Sequence, residues 1–371
     1  MLEGWSPPDK STIEVSVFGR GSGESIVVHL GDGRWMVVDS FKSNGVPIPL
    51  LYLDALGVEL ETSVDLVVAS HWHDDHIQGL AETYRRTTNA RMAFPLAMLH
   101  DEYLQFTAVY NNRVPTGKVS SGVRELGSIM SLLQDRKWIG VEPADAWKTV
   151  LRYPANTFEH GFPVEVEAMS PSNFDILQFV ATLRALPTPG DIATRAPLYD
   201  RNDVSCALQV RIHDVTIVLA ADLETVADGR SGWNGVFAAQ QLPLQPASLL
   251  KIPHHGSITG DHPEIWSRLC GAEPVTSLTP WARGSGRLPQ RSDVQRINQN
   301  APESYAAART VTSGDRHRLQ AVNSVLKRTN SRIRNIDQSL GHVRHRLEPG
   351  EGGHWRTELF GAACELRKIA A

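Results

Sequence analysis

Cysteine is scarce in this chain of 371 residues, with only Cys206, Cys270 and Cys364, scattered and odd in number. So sparse a set argues against a disulfide framework and against a cysteine-based zinc ribbon, leaving small core residues as the reading. No apolar run approaches the roughly 20 residues needed to cross a bilayer. The opening, Met1 to Lys10, is polar and contains proline, with neither the basic start nor the apolar stretch of a secretory signal. A cytoplasmic protein with no membrane partner is therefore expected. Internal repeats and low-complexity segments are also missing, which argues against a solenoid or an array.

What is present first is a charge asymmetry hidden in a net charge of −4. Residues 281–346 carry 13 arginines and lysines against Asp293, Glu303, Asp315 and Asp337, so that stretch holds 13 − 4 = +9 and the remainder −4 − 9 = −13. Such a stretch is either a solvated face or a contact for a polyanion. Length and apolar content suffice for a sizeable core. The expected organisation is one domain over 1–371, with a core of about 13–300, a helical insertion of about 90–200 and a basic C-terminal extension of about 281–371.

Glycine turns at Gly19-Arg20-Gly21-Ser22-Gly23 and Gly31-Asp32-Gly33 separate three short strands predicted over Ile13–Phe18, Ser25–Leu30 and Trp35–Ser40. The first glycine run opens onto a strand rather than a helix, so it reads as a tight turn and not as a phosphate cradle. Further strands are predicted over Val64–Ser70, Val164–Ser170 and Ser248–Pro253, with a hairpin of Cys206–Ile212 and Thr216–Ala221 around His213-Asp214. Helices are predicted over Gly79–Arg86, Ser121–Lys137 and Asn173–Leu186, the last closed by Pro187 and Pro189.

The densest chemistry lies in His71-Trp72-His73-Asp74-Asp75-His76, immediately after the β-branched run Val64–Ser70. Three imidazoles and a carboxylate on so short a segment share one small volume, which reads as a metal site at a strand end. The pattern His71-x-His73-x-Asp75-His76 resembles the signature of the metallo-β-lactamase superfamily. Two later motifs extend the resemblance: Ala220-Ala221-Asp222-Leu223-Glu224 after an apolar strand, and Lys251-Ile252-Pro253-His254-His255-Gly256-Ser257. Within that superfamily, the opening Val17 to Ser25, Asp39, Asn202-Asp203-Val204-Ser205 and the His-His-Gly-Ser run are similar, in this order, to the nuclease-like domain of competence-type (ComEC-like) DNA-uptake proteins.

The resemblance implies an α/β fold, an αββα sandwich of two mixed sheets with a metal cleft along one edge. It implies two divalent ions, Zn or Mn, one held by His71 and His73 and the other by Asp75, His76 and one of His254 and His255, with Asp222 bridging. His255 is the favoured ligand of that pair, because the family's last histidine is often followed by glycine. Asp75 and His254 are then the catalytic candidates, and Asn202, Ser257, Arg283 and Arg287 the substrate-binding ones. Many family members place a third histidine on the first ion where this chain has Asn202 and Asp203, so that ion is expected to be loosely held. Asn202 itself reads better as a hydrogen-bonding loop residue than as a ligand. His160 comes too early in the family's order and reads as structural.

The implied activity is that of a dinuclear-metal phosphodiesterase or nuclease using a metal-bound hydroxide, since zinc lowers the pKa of bound water to about 7. Nucleic acid or another phosphodiester is the expected substrate. The alternative is a hydrolase of small acyl substrates such as a lactone, thioester or β-lactam-like compound, because the same site can polarise a carbonyl. A metal-stapled scaffold for a partner protein is a third, non-enzymatic reading. Tyr103, Phe106, Tyr110 and Arg113 of the expected insertion could wall the cleft.

Overall fold

The computed structural model describes residues 4–100, 103, 121–159, 162–184, 202–239, 245–283, 286–309, 340–350 and 353–369. Two eight-stranded mixed sheets dominate it. The first runs Arg356–Gly361, Gly341–Leu347, Ile13–Gly19, Glu24–His29, Trp35–Val38, Val64–Val68, Arg91–Pro95 and Val141–Ala144 from edge to edge. The second runs Cys364–Glu365, Ser304–Ala306, Cys270–Leu278, Ala247–Lys251, Val215–Leu219, Leu208–Ile212, Val164–Ala168 and Lys148–Tyr153.

Alternation along the strands explains why the sheets stack. Val15, Val17, Ile26, Val28, Met36, Val38, Leu66 and Val68 of the first sheet share one buried cluster with Val166, Leu208, Val210, Ile217, Leu219 and Leu249 of the second. The intervening residues Val27, Val37 and Val67 face the other way, onto helices Ile48–Ala55, Leu80–Arg86 and Ser121–Asp135 through Ile48, Leu53, Leu80, Tyr84, Leu126 and Ile129. Val218 and Leu250 of the second sheet pack outward against Trp233, Val236 and Phe237 of Gly232–Ala238 and against Val294 and Ile297 of Arg291–Asn300. Helix, sheet, sheet, helix is the resulting order of layers, the αββα sandwich expected from the motifs.

Two expected boundaries need correction. Residues 90–200 are not a helical insertion in the described part, since Arg91–Pro95, Val141–Ala144, Lys148–Tyr153 and Val164–Ala168 are strands that supply the ends of both sheets. The stretch 281–371 is not an extension outside the core either. Gly341–Leu347 pairs antiparallel with Ile13–Gly19 along its whole length, and Ser304–Ala306 pairs parallel with Cys270–Leu278. Gly341–Leu347 does not read as a strand because its polar residues are buried in pairs: Arg346 reaches Glu14 at 2.8 Å and Arg344 reaches Glu358 at 2.9 Å. Charge along the chain therefore does not mean solvent. Phe106, Tyr110, Arg113 and His160 lie outside the described residues, while Tyr103 is buried against Trp72 and Phe179. Among the described residues no helix is long and apolar enough to cross a membrane.

Two histidines of the first sheet are held neutral. His29 Nδ1 donates to the Thr12 carbonyl at 2.7 Å while its Nε2 accepts from the Gly33 N–H at 3.0 Å, and burial pushes it down to about 4. His345 bridges the sheets, with Nε2 2.6 Å from Ser277 Oγ, and burial lowers it to about 3. The unfolded chain therefore binds more protons than the folded one, and stability rises with pH across the interval between the two values. For His29 the fall from 6.5 to about 4 is worth about 3 kcal/mol, present above pH 6.5 and lost as the pH drops towards 4. Urea unfolding of chelator-treated protein at pH 4.5 to 7 should show this slope, and His29→Asn should reduce it by up to one proton; an unchanged slope would remove His29 from the account.

Candidate metal centre

The donors come from strand ends on one edge of the sandwich. Trp35–Val38 and Val64–Val68 run parallel, as do Val215–Leu219 and Ala247–Lys251, so the segments after them emerge together. They carry Asp39, the His71 to His76 segment, Asp222 and the His254-His255 pair respectively. Each turn is sharp. Asp39, Ala221, His254 and His255 all have left-handed backbones, at φ of 58°, 46°, 44° and 52°. Non-glycine residues in that region cost about 1–3 kcal/mol each and persist only where the surroundings fix them. Here they are fixed. The Ser70 N–H donates to Asp39 Oδ1 at 2.7 Å, the His254 N–H to the Ala221 carbonyl at 3.1 Å, and the Arg296 guanidinium to the Gly256 carbonyl at 2.8 Å.

Four groups of three donors result among the described residues, and two of them together use six different residues: His71, His73 and Asp222 form one, and Asp75, His76 and His255 the other. Asp222 Oδ2 joins them, lying 3.9 Å from His71 Nε2 and 3.4 Å from both His76 Nε2 and His255 Nε2. His255 Nε2 is also 3.4 Å from Asp75 Oδ2, and His73 Nδ1 is 3.0 Å from His71 Nε2. The outward nitrogens are already engaged. His76 Nδ1 is 2.8 Å from Asp39 Oδ2, His255 Nδ1 is 2.9 Å from the Thr279 carbonyl, and His71 Nδ1 is 3.0 Å from Ser70 Oγ, which also bonds Asp39 Oδ2 at 2.6 Å. These contacts fix the rings with Nε2 inward, as ligating histidines require.

Electrostatics agree with a site made for cations. Burial opposes protonation of His255, yet the Asp222 and Asp75 carboxylates raise it to about 10. His76 is likewise disfavoured by burial but raised well above its usual value by Asp222 and Asp39. Burial also opposes ionisation of Asp222, which His255 and His76 hold well below the carboxylate range. Protons thus neutralise the cluster in the free protein, and a divalent ion would displace them. The residues fit such ions: His76 Nε2 is buried without a hydrogen-bond partner, and imidazole with carboxylate suits zinc or manganese.

The remaining candidates separate. His254 stands beside the cluster, its Nδ1 2.5 Å from Glu224 Oε1 and 2.9 Å from Thr259 Oγ1, and Asn202 Nδ2 lies 3.4 Å from its Nε2. The donor groups contain His255 and neither His254 nor Asn202. Ser257 uses its hydroxyl within its own turn, accepting from the Thr259 N–H at 3.3 Å. Arg287 lies on the hairpin Trp281–Arg283 and Gly286–Leu288, whose Ala282 N–H donates to the Gly21 carbonyl at 2.5 Å; the Arg283 side chain is outside the described set. Asp74 is no ligand: it accepts from the Gly122 N–H at 2.6 Å, where a Cβ on Gly122 would come within 2.5 Å of the Trp72 carbonyl. Asp39 and Glu224 belong to the quoted motifs but carry no role there, and Ser70 and Thr279 are not evident as site residues from the sequence, because single polar residues at strand ends carry no signal until the strands are paired.

Asp39 groups with His71 and His76 within reach of one ion, but its Oδ2 is already 2.8 Å from His76 Nδ1, and carboxylates that hold a ligating ring in this way typically contribute about 10–100-fold in metal affinity. Asp39→Asn should therefore weaken binding by about that factor in a chelator competition, with the fold retained by circular dichroism. Wild-type affinity in the variant would show that the His76 ring needs no such support.

The segment 18–119 matches the family model of the metallo-beta-lactamase superfamily. Two solved structures are similar at low identity. A mutant of the CmlA beta-hydroxylase is 12% identical with a TM-score of 0.36, covering 92% of this chain and 55% of that one. A hydrolase, AbOPH in the beta lactamase superfamily, is 17% identical with a TM-score of 0.27, covering 54% of this chain and 55% of that one. The chain thus spans about half the length of each. No curated protein matches it. Over residues 18–119 the chain is thus similar to the metallo-beta-lactamase superfamily, and its two mixed sheets between helical layers have the layer order of that fold.

Proposed function

We propose that the protein is a metal-dependent hydrolase with two divalent ions, acting on phosphodiesters. One observation carries this reading: six candidate donors form two groups, and Asp222 Oδ2 of the first lies 3.4 Å from both His76 Nε2 and His255 Nε2 of the second, a closeness that suits a pair of ions clamping the attacking and leaving oxygens of a displacement. Ions bound there would supply Lewis-acid polarisation and an acidified water.

The chain's own groups supply the rest. Burial works against ionisation of Asp75, but its hydrogen bond to His255 and the charge of His76 keep it well below the carboxylate range. It is therefore anionic at neutral pH and suited to accept a hydrogen bond from the attacking water, rather than to donate a proton. His254 is suited to the opposite task. Glu224 and Thr259 hold its Nδ1 side, Asn202 Nδ2 lies 3.4 Å from its Nε2, and its side chain remains 20% exposed. An imidazole backed by a carboxylate can deliver a proton to a leaving alkoxide. That demand is stronger for a phosphodiester than for an activated acyl ester, and the ComEC-like order of motifs supports the same choice. Acyl hydrolysis is the alternative outcome.

Asp75→Ala should reduce phosphodiesterase activity by at least about 100-fold while the protein stays folded. The assay is a panel of bis-aryl phosphate, single- and double-stranded DNA, RNA and lactones, each with Zn²⁺, Mn²⁺ and Mg²⁺. Turnover of lactones or thioesters with none of any phosphodiester would transfer the reading to acyl substrates.

A polynucleotide substrate would draw on the basic stretch, but fewer charges are free for it than the sequence count suggests. Arg296 pairs with Asp293 at 2.7 Å and Asp261 at 3.3 Å, Arg346 is paired with the buried Glu14, and the buried Arg344 with Glu358. Arg287 and Arg291 are the described candidates, the former on the hairpin that starts two residues after Thr279. Arg328, Arg332 and Arg334 lie outside the described residues. Each phosphate neutralised contributes about 0.7–0.9 to the slope of log affinity against log salt. Neutralising Arg283, Arg287 and Arg291 together should flatten that slope by about 2, leaving bis-aryl phosphate hydrolysis intact; an unchanged slope would make this a solvated face.

A further inference from the structure

Beneath the donor groups lies a buried charge that ligation does not use. Lys251, the last residue of strand Ala247–Lys251, is fully buried, and its Nζ is 2.6 Å from Glu24 Oε1, 2.9 Å from the Ala221 carbonyl and 3.9 Å from Asp222 Oδ1. Glu24, at the start of its own strand, is equally buried and accepts on its other oxygen from the Thr279 hydroxyl. Thr279 in turn accepts from His255 Nδ1 through its carbonyl. Glu24 could be counted as a ligand, because it groups with Asp222 and His255 within reach of one ion. Its two oxygens are instead engaged by an ammonium and a hydroxyl. The two oxygens of Asp222 are also divided, Oδ2 facing the three imidazoles and Oδ1 facing Lys251.

We propose that Lys251 and Glu24 are a positioning pair that turns Asp222 so that Oδ2 alone serves both ion positions. The inference rests on the two-ion reading above and deepens it. The ammonium donates to the Ala221 carbonyl, on the backbone that enters Asp222, and its charge lies 2.6 Å from Glu24 Oε1 and 3.9 Å from Asp222 Oδ1. Without that charge Asp222 Oδ1 is free to swing into the cluster and chelate one ion with both oxygens, at the expense of sharing. Glu24 is needed because a buried charge is costly unless an opposite charge pairs with it. The pair also ties Asp222 to His255 through Thr279, so the two ion positions are set together.

The test replaces both members at once, Lys251→Met with Glu24→Met, since exchanging a buried ion pair for apolar residues of similar volume often preserves stability. Metal content by elemental analysis and stepwise affinity by chelator competition are measured with Zn²⁺ and Mn²⁺, alongside thermal unfolding of the metal-free proteins. The expected result is a fall from two ions per chain to one, or a loss of at least tenfold in the affinity of the second, with metal-free unfolding close to wild type. Glu24→Gln, which keeps the side-chain shape, should show the same loss if the double variant does not fold. Two ions bound by either folded variant with wild-type affinities would overturn the positioning role while leaving the two-ion reading intact. A wild-type protein that takes up no stoichiometric metal would overturn both.

Discussion

Three imidazole nitrogens lie within 3.9 Å of one carboxylate oxygen, Asp222 Oδ2, and the surrounding architecture is organised by having to hold them there. His71 and His76 follow one strand, but His255 and Asp222 itself follow two others, so no local sequence rule can bring the four together. Both sheets must close first. The interleaved valines, isoleucines and leucines between the sheets supply that closure, and the strand ends inherit their positions from it. Burial then makes the cluster an electrostatic problem with few solutions. Asp75 and Asp222 are anionic, and the charge they leave is met by protons on His76 and His255 or by cations in their place.

Four of the eleven left-handed non-glycine residues among the described ones lie at this site. Left-handed Asp39, Ala221, His254 and His255 each turn a chain out of a strand and aim a side chain along the sheet edge. The partners that fix them are themselves distributed across both sheets: Ser70 on Asp39, Ala221 on His254, and Arg296 on Gly256. Arg296 illustrates how charge is used in this molecule. It contributes to the basic count of residues 281–346, yet it is anchored between Asp261 and Asp293 and steadies the turn that carries His255.

Much of this is legible in the amino-acid sequence. Val64–Val68, Val164–Ala168, the hairpin around His213-Asp214 and strand Ala247–Lys251 fall within two residues of the spans predicted from apolar alternation. The donors His71, His73, Asp75, His76, Asp222 and His255 follow from motif order, and the fold brings all six together. What cannot be read there is anything that depends on pairing between distant strands. Glu24 and Lys251 are 227 positions apart and look like ordinary members of two motifs until their strand ends meet. Gly341–Leu347 looks like a solvated basic run because Glu14 and Glu358, which neutralise it, lie elsewhere in the chain. Asp74 and Asp75 are adjacent and chemically identical; motif order picks out Asp75, but the task of Asp74, to accept from the Gly122 N–H of helix Ser121–Asp135, shows only in the fold.

The central claim is that two ions share the Asp222 carboxylate, and magnetic coupling reads that sharing directly. Protein freed of metal and loaded with two equivalents of Mn²⁺ should give the electron paramagnetic resonance spectrum of an exchange-coupled pair, collapsing to isolated-ion signals in Asp222→Ala. A wild-type spectrum of independent six-line Mn²⁺ centres, or of unbound Mn²⁺ alone, would contradict the account.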